Sequence, residues 1–114
     1  MTGQTDEQQM LVQINTDKRI ESTEATNAAV EGRIRERLSR FTGRLTRVEM
    51  HLRDVDGDRN GSRGIEAKLE ARPAGGQPIV VNDQAASVDS AVAGVIRKAV
   101  DILDRSFGKL DAVR

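Results

Sequence analysis

The chain contains no cysteine, no tryptophan and no tyrosine, and only two phenylalanines. The first absence excludes disulfides and thiolate metal centres. The others leave valine, isoleucine, leucine and alanine to build the core, and they remove the exposed rings that single-strand RNA readers stack on bases. Long apolar runs are missing too, and nothing approaches the ~20 residues of a membrane-spanning helix. The start, Met1 to Gln9, is polar, with no basic region leading into an apolar stretch, so it does not read as a signal peptide. A cytoplasmic protein without a membrane partner is expected. An excess of one charge is also absent: lysine plus arginine and aspartate plus glutamate number 18 each. That argues against a polycation coating any nucleic acid, although a basic face depends on where the charges sit.

What is present fits one domain. The 114 residues are 37% hydrophobic and 32% charged, ordinary values for a globular chain. Residues 1–9 read as a flexible tail and 10–114 as a single domain. Met10 to Ile14 reads as a first strand. Ser22 or Thr23 offers a helix N-cap, with Glu24 in the first turn. Val30, Ile34, Leu38 and Phe41 then keep helical spacing, and Gly43 suits the stop. From Arg47 the period becomes two, with Val48, Met50 and Leu52 alternating with Arg47, Glu49, His51 and Arg53. After a turn-rich loop from Asp56 to Gly64, Ile65, Ala67, Leu69 and Ala71 alternate with Glu66, Lys68, Glu70 and Arg72. Pro73 to Gly76 is a turn, Gln77 to Val81 a fourth strand, and Gln84 to Leu110 a long helix. Its apolar face carries Val88, Val92, Val95, Ala99, Leu103 and Leu110. The expectation is an α+β fold of order β-α-β-β-β-α: a four-stranded sheet with two helices packed on one face and the other face left to water.

The basic residues follow the helical period. Arg33, Arg37, Arg40 and Arg44 fall within roughly 60° of one another on a helix, and Lys98, Arg105 and Lys109 within about 40°. Each set flanks an apolar stripe. Placed on adjoining flanks, the two would frame a positive groove able to hold RNA phosphates without reading sequence. The alternative is a pair of solvated helix faces, since Glu31, Glu36, Asp101 and Asp104 lie among them.

Other signals carry less. Asp56-Gly57-Asp58-Arg59-Asn60-Gly61 opens like an EF-hand calcium loop, but Ala67 stands where the bidentate acid belongs and strands replace the helices. A hydrophilic hairpin loop is the simpler reading. His51, the one histidine, has no serine or cysteine partner and reads as a surface residue. Glu66 and Glu70, alternating with Lys68 and Arg72, suggest cross-strand ion pairs. No enzyme, cofactor or metal site is expected, and no small-molecule substrate.

Several segments together resemble the bacterial ribosome hibernation-promoting factors and ribosome-associated inhibitors, formerly called sigma-54 modulation proteins. They are Val12-Gln13-Ile14-Asn15-Thr16, Val30 with Leu38-Ser39-Arg40-Phe41, Arg44 through Leu52, and Asp83 through Ala91. The resemblance runs from about Met10 to Leu110. It implies a fold similar to the double-stranded RNA-binding domain. It also implies binding to 16S ribosomal RNA of the small subunit, in the channel for messenger and transfer RNA, and inactivation by occupancy. Carried over by position, the first helix would contact phosphates through Arg33, Arg37, Arg40 and Arg44. Lys98 and Arg105, with Arg97 and Lys109 beside them, would serve from the last helix. Typical members carry more lysine on these helices, whereas arginine dominates the first one here. With the chain ending soon after the last helix, the short form of the family is the nearest likeness. A divergent RNA- or protein-binding module of the same fold, no longer binding ribosomes, is the other reading.

Overall fold

A computed structural model describes residues 10–18, 20, 23–55 and 64–113, with side chains through residue 108. The expected tail over 1–9 and the Asp56–Gly61 calcium-like loop lie outside the described residues. The order is β1 (Leu11–Thr16), α1 (Glu24–Arg37), a 3₁₀ turn (Ser39–Phe41), β2 (Leu45–Asp54), β3 (Ile65–Pro73), β4 (Ile79–Ala85) and α2 (Val88–Val113). The strands form one sheet in the order β1-β2-β3-β4, parallel between β1 and β2 and antiparallel elsewhere. The expected architecture is therefore the observed one.

Register turns the period-two pattern into two unlike faces. Val48 pairs with Ala71, Met50 with Leu69 and Leu52 with Ala67, while Val12 and Ile14 lie beside Val48 and Met50. These residues join Val30 and Ile34 of α1 and Ala91, Val92, Val95, Ile96, Ala99 and Leu103 of α2 in a single core. Both helices thus cover the same face. Leu69 and Met50 are wholly buried, each worth about 1.5–3 kcal/mol relative to exposure. No helix among the described residues is long and apolar enough to cross a membrane.

The end of α1, both ends of β4 and the start of α2 differ from expectation, each for a local reason. Of the two candidate caps, Thr23 is the one described: its Oγ1 accepts from the Thr26 N–H at 3.1 Å. The first helix stops at Arg37, well before Gly43, because Leu38 leaves the helical region (φ −103°, ψ 15°) and a 3₁₀ turn follows. That tighter turn keeps residues three apart on one side, so Leu38 and Phe41 both enter the core. Gly43 has no positive φ; among the described residues only Gly75 has (74°). Gly75 sits in the Pro73–Gly76 turn, closed by the Gly76 N–H donating to the Pro73 carbonyl, where a side chain would be strained.

The fourth strand runs from Ile79 to Ala85, not Gln77 to Val81, and α2 begins at Val88 instead of Gln84. Asn82 and Asp83 are residue types depleted in strands and Gln84 reads as the start of the helix, but all three lie on an edge strand. Ser87 caps α2, its Oγ accepting from the Ser90 N–H at 3.2 Å. Asp83 points inward beneath α2, and a Cβ on the buried Gly94 would run into its carboxylate. Glycine there lets the helix lie close over β4.

Candidate nucleic-acid interface

The expected arginine stripe is divided between three elements. Arg33 and Arg37 belong to α1, Arg40 to the 3₁₀ turn, and Arg44 to the link into β2. The two sets of basic residues do not face each other across a groove. Arg33 meets Asp89 at 3.2 Å and Arg40 meets Asp104 at 2.9 Å, so the flank of α2 toward the arginines is acidic. Lys98 lies on the opposite flank, where its Nζ donates to the Asn82 carbonyl at 2.9 Å and to Asp83 Oδ1 at 3.3 Å. Arg105 lines the same side, in a hollow of about 270 Å³ with Val81, Asn82, Lys98, Asp101 and Ile102. The body of α2 separates the two sets. Arg97 is exposed on α2, and the side chain of Lys109 lies outside those described.

The arginine side is a seam between α1 and α2. Asp89 and Asp104 stand fifteen residues apart, about 22 Å along the helix axis. That length can follow several phosphates of one strand. At its far end the chain's two phenylalanines meet, Phe41 and Phe107, with ring centroids 5.6 Å apart. The Arg40 guanidinium lies 4.9 Å from the Phe41 ring centroid and that of Arg44 4.7 Å from the Phe107 centroid. These four residues, with Asp104 and Gly108, line a hollow of about 260 Å³. The rings hold the guanidinium planes in place rather than offering faces for base stacking.

The two ion pairs along the seam are weak ties. Asp89 is 90% exposed and the Arg40–Asp104 pair about half exposed, and such pairs contribute about 0–1 kcal/mol. A phosphate, with its bidentate match to guanidinium, can replace a carboxylate at little cost. Among the described residues Arg37, Arg97 and Arg105 form no ion pair. From sequence Asp104 stands out only as an acid beside the basic residues of the last helix. Its pairing with Arg40, the pairing of Asp89 with Arg33 and the aromatic supports have no local signal, because the paired residues are 64 and 56 positions apart. Arg35, outside the expected stripe, has a structural task. It donates to Glu31 at 2.9 Å and to the Met10 carbonyl at 3.0 Å, tying α1 to the start of β1.

Residues 13–111 match the family model described as sigma 54 modulation protein / S30EA ribosomal protein. The chain belongs to this family. Two solved structures are similar to this S30EA-family chain. One is the N-terminal domain of Protein Y from Thermus thermophilus, at 18% identity and a TM-score of 0.65, covering 82% of this chain and 93% of that one. The other is a ribosomal subunit interface protein from Coxiella burnetii, at 13% identity and a TM-score of 0.61, covering 90% and 99%. At such identities the likeness speaks for the S30EA fold alone. No curated protein matches the chain significantly.

Proposed function

We propose that this S30EA-family protein associates with the ribosome and inactivates it by occupancy. It would hold 16S ribosomal RNA of the small subunit in the channel used by messenger and transfer RNA. The supporting observation is the seam where Arg33, Arg40 and Arg44 meet α2, with Arg37 exposed on α1, in a chain whose family model spans residues 13–111. Guanidinium groups set in a row suit phosphate oxygens. With Phe41 buried and Phe107 under Arg44, recognition rests on backbone and shape instead of base stacking. Arg97, Lys98, Arg105 and Lys109 lie on α2 and would make a second, separate set of contacts. The test is competition. Vacant small subunits should retain the protein, and subunits loaded with messenger and initiator transfer RNA should not. Equal retention on both would overturn the channel assignment.

The second reading, a module of this fold that no longer binds ribosomes, draws on Asp89 and Asp104. They occupy Arg33 and Arg40 and make the seam nearly neutral at those points. Absence of binding to vacant subunits even at low salt would favour it.

A further inference from the structure

The open face of the sheet carries a second candidate site, unrelated to the arginine seam. Glu49 and His51 alternate along β2, and Glu70 lies opposite Glu49 on β3. One ligand atom from each of the three lies within 4.8 Å of the other two. We propose that Glu49, His51 and Glu70 bind a divalent transition metal ion of the zinc class.

Four features carry the assignment. Two carboxylates face each other directly across antiparallel strands, an arrangement that is destabilising unless positive charge lies between them. The imidazole Nε2 of His51 points at this pair, 3.3 Å from Glu49 Oε1. The other oxygen of Glu49 is held by Arg47 Nε at 2.7 Å, and Arg47 is held in turn by Gln13 at 2.8 Å, which leaves Oε1 turned toward the histidine. Behind the ring, His51 Nδ1 is 3.4 Å from the Asn15 amide. An imidazole that ligates through Nε2 carries its proton on Nδ1, and Asn15 can accept it once its amide turns over, giving up the 3.3 Å bond its Oδ1 accepts from Gln13 Nε2. Outer partners of this kind orient metal ligands.

The donor set defines the ion. One imidazole nitrogen and two carboxylate oxygens suit zinc, cobalt and nickel, while magnesium and calcium prefer oxygen alone. Glu49 is only 18% exposed, and the strands fix the spacing of the three groups. Neither helix covers this face, so the remaining coordination positions open to water or to an external ligand. Arg47 on β2 and Lys68, opposite His51 on β3, bring positive charge to the rim. Their charge opposes a cation, so three ligands on an open surface make a weaker site than a closed, four-ligand structural zinc centre. Neither the alternation nor the composition marks this site, because Glu49 and Glu70 meet only through the register of β2 against β3.

The experiment uses the untagged full chain, whose single histidine gives one set of imidazole resonances. Zinc chloride is titrated by calorimetry, and cobalt chloride by proton NMR. The expected result is one zinc per chain, with the His51 resonances shifted by cobalt and unmoved by the same concentration of magnesium. H51Q and E70Q should each weaken zinc binding about tenfold or more. E66Q, an acid on the same face engaged with Arg53, should leave it unchanged. Zinc binding that survives H51Q and E70Q undiminished would overturn the proposal, and so would imidazole resonances of the parent protein that cobalt leaves in place. The NMR result needs no variant to fold.

Discussion

The two basic regions of this molecule carry the same charge but are held differently. Along the seam, Arg33 and Arg40 rest in exposed pairs with Asp89 and Asp104, and Arg40 and Arg44 lie against Phe41 and Phe107. Over β4, Lys98 is anchored to Asn82 and to the half-buried Asp83. The guanidinium groups of the seam are oriented yet exchangeable. The Lys98 ammonium is engaged in keeping an inward carboxylate satisfied beneath α2. A helical wheel records the position of a charge, but its availability depends on what the opposite element brings.

That contrast can be broken from either side. The largest effect is expected from changing Arg33, Arg37, Arg40 and Arg44 together to alanine. Losing four phosphate contacts should reduce the salt slope of RNA binding by about 3–4 and low-salt affinity by ~100-fold or more. Circular dichroism should still report a folded chain. Next is Gly94→Ala, which drives a methyl group into the Asp83 carboxylate. Overpacking of this kind costs about 1–3 kcal/mol, read as a lower urea midpoint. Lys98→Ala should remove about 1 kcal/mol of stability by leaving Asp83 without its cation, and should change RNA affinity less than any seam substitution. The smallest effect belongs to Asp104→Asn. Freeing Arg40 should tighten RNA binding about threefold at low salt while shifting stability by under ~1 kcal/mol. Were Lys98→Ala to weaken binding more than Arg40→Ala, the assignment of roles to the two regions would be reversed.

The element order was legible because its physics is local. Val48, Met50 and Leu52, and Ala67, Leu69 and Ala71, alternate strictly, and all six are buried. The cap at Thr23 and the turn at Gly75 follow from residue chemistry alone. The end of α1 was hidden, because Leu38 and Phe41 keep a spacing that an α-helix and a 3₁₀ turn both allow. The fourth strand was ended at Val81 and Gln84 read into the helix because Asn82 and Asp83 are residue types depleted in strands, while their edge position and the partner of Asp83 become visible only in three dimensions. The Glu66 expectation holds, since Arg53 donates to it across the strands at 2.8 Å. Glu70 instead faces Glu49, which a pattern read along one strand cannot reveal. The seam depended on the same kind of long-range fact. Sequence located the arginines, whereas the rotation of α2 decided that aspartates, and not Lys98 and Arg105, lie beside them.

The most direct test of the central claim is co-sedimentation of the parent protein and the four-arginine variant with small subunits across a salt series. The account predicts that the parent binds at low salt and is released as salt rises, while the variant is already weak at the lowest salt with a shallower slope. Equal binding and equal slopes for the two proteins would contradict it and place the RNA-facing surface elsewhere on the fold.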